Sequence, residues 1–414
     1  MSTPPTLAPL PRYQCYDCQA CGVCCRGIFT IHVTPEEIDR ITAQGWAADD
    51  DFQQQPLFVP DGKKMRLAHR EDGACVFLGA EGRCRIHAKF GEPAKPLACR
   101  LYPFKPVRAG EHWRIDLRYD CPAVAAGNGR PLTAHKKAIL ALLPLLPDST
   151  AAPTPRLRKQ LPLTWEQAEC LTAMALRVLD YRELDLTRRV LGCVYLSTML
   201  RQLGPESLVD SARDKVLDAF CSAAIAAAIS DPLDRHAPLA MTRLSFRQLL
   251  MLYAREDRRG ARPSLLNRYL DFLRMLAGRG QLPPLTATMP PVPFDVLEEP
   301  LGIPPDEVVA PLARYLRVRL ASQGFFGTAF ADFDYLDGFN ALLLTYPAIF
   351  WFARAFAAGQ ELPFPDAACI EQAIQLVNHR HGLAADYVFP LERYHLRTLG
   401  LPVVLRKLVI WYGR

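Results

Sequence analysis

Five cysteines within eleven residues constrain this chain more than any other feature of its sequence. Residues 15 to 25 read C-Y-D-C-Q-A-C-G-V-C-C, placing Cys15, Cys18, Cys21, Cys24 and Cys25 almost side by side. Packing seldom calls for so many neighbouring thiols. Thiolates two residues apart can instead curl round one metal centre, and Gly22 lets the backbone turn tightly enough to allow it. Cys75, Cys84, Cys99 and Cys121 follow, while Cys170, Cys193, Cys221 and Cys369 are scattered over the rest of the 414 residues. The opening MSTPPTLAPLPRY has neither a basic start leading into an apolar run nor a small-residue cleavage site. The expected setting is therefore cytoplasmic, where thiols stay reduced and dense C-x2-C spacing points to metal rather than to disulfides.

The chain is long enough for two or three domains, and with half its residues hydrophobic and 22% charged it reads as folded protein. A net charge of +6 is modest for this length, and aromatic residues are not interleaved with the cations as base stacking requires, so there is no clear nucleic-acid signature. The longest apolar stretch, Phe339 to Ala353, contains Pro347 and stops at Arg354, short of the ~20 residues a membrane span needs. It reads as a buried helix.

The predicted fold class is α+β: a small cysteine-rich domain followed by a mostly helical region. Phe29, Ile31 and Val33 alternate as a half-buried strand does, as do Trp113, Ile115 and Leu117, with Arg114, Asp116 and Arg118 pointing the other way. Thr34 and Glu37 form a capping box around Pro35, predicting a helix that Gly45 can close. Prolines crowd residues 144 to 162, predicting a linker, and a second capping box from Thr164 to Gln167 opens a run of amphipathic helices. Leu186, Val190, Cys193 and Leu200 share one helix face, which Gly204 can terminate. Another proline-rich break runs from Pro283 to Pro305. The expected divisions are residues 1–130, a connection at 131–162, and helical regions at 163–282 and 305–414.

Cys15, Cys18, Cys21 and Cys25 reproduce the C-x2-C-x2-C-x3-C run of bacterial ferredoxins, but Arg26 stands where that run has proline and no second run accompanies it. A more specific resemblance comes from C-Q-A-C-G-V-C-C at Cys18 to Cys25, C-V-F-L from Cys75, C-R-I-H from Cys84 and P-L-A-C-R-L-Y-P-F from Pro96 to Phe104. Together these resemble the YkgJ-type cysteine-cluster family, a zinc- or iron-chelating family named for its CxxCxxCC motif, over roughly residues 13 to 122. The resemblance implies that Cys18, Cys21, Cys24, Cys25, Cys75, Cys84, Cys99 and Cys121 bind metal, and leaves Cys15 outside the pattern. Eight thiols suffice for two four-coordinate centres, or for one cluster beside a redox-active or structural set. Cys24 and Cys25, being adjacent, are expected to point at different centres. His87 is read as a surface residue, because thiols already fill the ligand count. Arg100, next to Cys99, is the candidate cofactor-binding cation within a basic run that includes Arg83, Arg85, Lys89, Lys95, Lys105, Arg108, Arg114 and Arg118.

The expected cofactor is an iron-sulfur cluster, 4Fe-4S in type, with zinc as the alternative. Iron-sulfur would support redox or cluster-assisted chemistry, while four-thiolate zinc would be structural and would drive folding by ~10 kcal/mol or more. The C-x3-C-x2-C spacing of radical-SAM enzymes is absent. The order of a cysteine cluster before a helical region also resembles the flagellin lysine N-methylases, which implies methyl transfer to a protein substrate, although no glycine-rich strand-turn-helix loop is present. The competing reading is a non-enzymatic metal- or redox-sensing module whose helices bind a protein partner. Isolated Cys170, Cys193, Cys221 and Cys369 read as core residues, and His379 and His381 as favourable charges at a helix C-terminus.

Overall fold

The structure is a computed structural model that describes residues 6–26, 30–46, 52, 55–146, 152–159, 161–203, 213–233, 237–254, 265–283, 285, 289, 291–381 and 390–414. Strands lie before residue 165 and helices dominate after it, as the α+β reading expects.

The first part of the chain runs β1 (Thr6–Leu7), β2 (Cys15–Tyr16), β3 (His32–Val33), α1 (Pro35–Thr42), β4 (Phe58–Asp61), β5 (Lys64–Leu67), α2 (Arg85–Phe90), α3 (Leu97–Leu101), β6 (Phe104–Ala109), β7 (His112–Leu117), α4 (Pro122–Ala126), β8 (Arg130–Pro131) and α5 (Lys136–Leu142). The capping box forms as expected. Glu37 N–H donates to Thr34 Oγ1 at 3.3 Å, and Thr34 N–H donates to Glu37 Oε2 at 3.0 Å. Strand β5 lies between β3 and β4, all antiparallel, while β7 pairs antiparallel with β6 and parallel with β1. A small core gathers Ile41, Phe77 and Ile86 round Trp46, whose ring meets Phe52 and Phe77 edge-on at 5.4 and 5.5 Å. The half-buried alternation holds at Ile31 and Val33, and Phe29 lies outside the described residues.

After the hairpin β9 (Arg156–Arg158) and β10 (Leu161–Pro162) come α6 (Trp165–Leu179), α7 (Leu186–Leu200), α8 (Arg213–Ser230), α9 (Ala240–Ala254), α10 (Leu265–Ala277), α11 (Asp295–Glu298), α12 (Asp306–Ala321), α13 (Tyr335–Gly359), α14 (Ala367–His381), α15 (Pro390–Leu399) and α16 (Pro402–Tyr412). The Thr164–Gln167 box caps α6. Leu186, Val190, Cys193 and Leu200 of α7 are all buried, and the expected stop at Gly204 lies outside the described residues. Helix α13 is the axis of the large core. Among the described residues it alone is long and apolar enough to cross a membrane, and nearly all of its surface is buried by other helices. Its Arg354 is buried too, and donates to the backbone carbonyls of Leu297, Glu299, Tyr412 and Arg414. Burial lowers the Arg354 pKa to about 10, still far above neutrality.

Three sequence expectations meet a different environment. The polar face of β7 does not look onto water: Asp116 is fully buried and forms an ion pair with equally buried Arg319 of α12. The proline-rich stretch 144–162 carries the β9–β10 hairpin, whose Leu157 is fully buried in the large core. Finally, His381 is no cap charge. Burial holds its pKa well below the usual imidazole value, and its ring packs on Phe330 with Nδ1 3.1 Å from the Tyr253 hydroxyl.

The large core crosses residue 130 without a break. Leu117, Tyr119 and Val124 share it with α6, α7, α12 and α13, Tyr119 meets Tyr315 edge-on at 5.0 Å, and Arg314 donates to the Ala125 carbonyl at 2.6 Å.

Candidate metal centre

The cysteine loop is anchored at both ends before any thiol is considered. At its start, β2 pairs with β8, and buried Gln14 donates to the carbonyls of Cys15 and Val124 while accepting from the Tyr119 hydroxyl. Asp17 N–H donates to the Asn128 carbonyl at 2.9 Å, and its carboxylate accepts from both the Arg130 backbone and guanidinium. Ala20 and Gly22 then take left-handed conformations, and Val23–Cys25 form a single tight turn. The loop leans on the turn at Gly82, where a Cβ would come within 2.2 Å of the Ala20 carbonyl oxygen, so only glycine fits. At its far end the Cys25 carbonyl accepts from Cys75 N–H at 2.6 Å.

The later cysteines sit on equally definite frames. Cys75 bridges to His69 and Cys84 stands opposite Leu78, so both belong to a folded-back segment, with Cys84 opening α2. Cys99 lies within α3, whose first amide, Leu97 N–H, donates to Glu37 Oε1 at 2.7 Å. The Glu37 that caps α1 thus also sets the position of Cys99. Cys121 opens α4.

Every one of the thirteen cysteines is a free thiol. Cys18, Cys21 and Cys24 are exposed, Cys15, Cys25, Cys84 and Cys99 half-buried, and Cys75 and Cys121 buried. Burial raises the thiol pKa of Cys75 and of Cys121 to about 11 each, and raises that of Cys99 as well. Neighbouring thiols add to this: Cys99 feels Cys75, Cys84 and Cys24, and Cys121 feels Cys21. Cys24 Sγ and Cys25 Sγ are 3.8 Å apart across the tight turn. Their hydrogen bond lowers the Cys24 pKa and raises that of Cys25.

The cations divide by partner. Lys95 acts on both Cys24 and Cys99: it adds to the lowering that the Cys25 hydrogen bond gives Cys24, and offsets part of the rise that burial gives Cys99. Arg100 turns to Glu92 at 3.0 Å, Arg85 and Lys89 lie over Phe52 and Trp46, Arg108 over Trp113, and Arg114 pairs with Glu169. His87 is exposed. The sequence did not single out Asp120, which is buried beside Cys121. Burial opposes its ionisation, but Arg118 at 2.6 Å and His379 at 3.6 Å hold its pKa below the usual carboxylate value. His379 belongs to α14, so this trio joins the cysteine domain to the helices. No spacing rule links residues so far apart in the chain. Cys170, Cys193, Cys221 and Cys369 are buried, as core residues would be.

Soft thiolates suit zinc and iron-sulfur clusters. Among the described residues no three Cys, His, Asp or Glu side chains stand close enough to hold one ion, so the thiols are gathered without forming a closed shell. Residues 17–122 match the model of the CxxCxxCC family, described as "Putative zinc- or iron-chelating domain". The match takes in the eight cysteines from Cys18 to Cys121 and leaves out Cys15. No curated protein and no solved structure matches the chain. The cysteine-rich region is therefore similar to a domain type described as zinc- or iron-chelating.

Proposed function

We propose that Cys18, Cys21, Cys24, Cys25, Cys75, Cys84, Cys99 and Cys121 bind metal as an iron-sulfur centre, 4Fe-4S in type, in a cytoplasmic protein whose N-terminal domain supports redox or cluster-assisted chemistry. The observation that carries the reading is the gathering of free thiols: Cys75 lies in the small core with Cys25, Cys84 and Cys99 packed against it, and Cys121 lies within reach of Cys21. An iron-sulfur cluster held there would supply electron transfer, or Lewis-acid chemistry at an exposed iron. Lys95 would offset the thiolate charge from its position beside Cys24 and Cys99. Arg100 would act one step further out, by holding Glu92.

The test is purification without oxygen, with visible absorption and analysis for iron, sulfide and zinc. Broad absorption near ~400 nm with matching iron and sulfide is the expected result. A colourless protein carrying only zinc would make the domain a structural scaffold. Methyl transfer is tested separately, by incubation with labelled S-adenosylmethionine and lysine-bearing proteins.

A further inference from the structure

We propose, on the metal-binding reading above, that the eight thiols form two distinct four-thiol centres: Cys25, Cys75, Cys84 and Cys99 within the small core, and Cys18, Cys21, Cys24 and Cys121 at the seam with the helices. Three kinds of observation divide them this way.

The first is packing. Cys75 belongs to the small core, and Cys25, Cys84 and Cys99 pack against it. Cys121 belongs to the large core shared with the helical region. The second is backbone connection. The Cys25 carbonyl accepts from Cys75 N–H, the Cys75 carbonyl accepts from Leu78 N–H, and Leu78 bridges to Cys84. Cys99 joins this frame through Leu97 and Glu37. The residues leading into Cys18 are strapped elsewhere, to the end of α4 and to β8, through Gln14, Asp17 and Arg130. Cys121 opens that same α4.

The third is proximity between side chains. Cys25 and Cys99 both lie within electrostatic reach of Cys75 and Cys84, and Cys24 lies within reach of Cys25, Cys75 and Cys99 as well. Cys121 lies within reach of Cys21, and the Tyr16 hydroxyl has Cys18, Cys24 and Cys121 around it. Cys24 stands at the boundary, 3.8 Å from Cys25. It completes the second set because the first already has four sulfurs packed on one core. Four thiolates close a coordination shell, so each set is sufficient in itself. Exposure separates the sets further: Cys18, Cys21 and Cys24 are the exposed thiols of the eight. The seam centre is the one in reach of solvent and, through Cys121, of Asp120 and His379.

The experiment compares full-length protein, purified without oxygen, with Cys84→Ser, Cys99→Ser, Cys18→Ser and Cys121→Ser, reading zinc, iron and sulfide per chain. Cys84→Ser and Cys99→Ser should lose the same part of the metal, about half, and Cys18→Ser and Cys121→Ser the complementary part. The Cys99→Ser, Cys121→Ser double variant should lose all of it. Complete loss in all four single variants would overturn the division if each keeps its wild-type helical circular dichroism. A measurement without mutation guards against misfolded variants. Cobalt(II) titrated into metal-stripped full-length protein should build sulfur-to-cobalt absorption up to two equivalents per chain, and an end at one equivalent overturns the proposal. An unmutated chain that takes up no metal at all would instead overturn the metal-binding reading itself.

Discussion

Glu37 uses its two carboxylate oxygens for two helices: Oε2 accepts from Thr34 at the start of α1, and Oε1 from Leu97 at the start of α3. Glu37→Ala should therefore cost about 1 kcal/mol, because two half-buried backbone amides lose their acceptor. Because α3 carries Cys99, the same variant should also surrender metal to a chelator faster than the wild type. Urea denaturation and a chelator competition read the two effects. Cys21→Ser and Cys99→Ser should each lower metal content, whereas Cys193→Ser, a buried thiol 3.7 Å from the Ala175 carbonyl, should leave it unchanged by elemental analysis. Equal losses in all three would sink the assignment of metal to the N-terminal domain. The capping role of Glu37 was legible in the sequence because a capping box is local. Its hold on Leu97, sixty residues away, was not, because only the fold brings the two together. The same holds for the cysteines. Their number and spacing announce metal, but which thiol neighbours which depends on turns and cores that spacing does not encode.

At the scale of elements, β7 and α12 are joined by the Asp116–Arg319 pair, with both side chains out of water. Removing one partner of such a pair strands the other charge, so Asp116→Ala should destabilise the fold by about 3–5 kcal/mol, seen as a lower urea midpoint. The alternation in β7 was readable from sequence, but period two reports only that two faces differ, not that a helix two hundred residues later covers the polar one. Helix α14 makes a pH prediction. His381 has a folded pKa below its unfolded value of 6.5, so its contribution to stability is complete above that pH and is lost as pH falls below it, since the unfolded chain binds the extra proton. His395 of α15 is shifted the same way by burial. Urea midpoints between pH 8 and pH 5 should fall with pH, and His381→Gln should flatten that slope. An unchanged slope would show that His381 is accessible to protons in the folded state. The sequence alone does not reveal this behaviour, because a histidine near a helix C-terminus looks like a favourable charge until burial is known.

At the scale of the whole molecule, the order of a cysteine-rich α+β part before a helical part was plain in the sequence, since composition and periodicity change along the chain. The joint was not, because the residues that close the large core from the N-terminal side, Leu117, Tyr119 and Val124, look like the interior of a self-contained domain. A fragment of residues 1–130 should therefore be poorly soluble and bind a hydrophobic dye strongly, and co-expression with residues 131–414 should restore solubility. A soluble, dye-negative fragment would refute the shared core. If the core is shared, the cysteine region is no bead that can be cut from its string and fused elsewhere with its properties intact. Cys121 itself lies in that shared core, so loosening the fold around it would disturb packing on which the helices also depend.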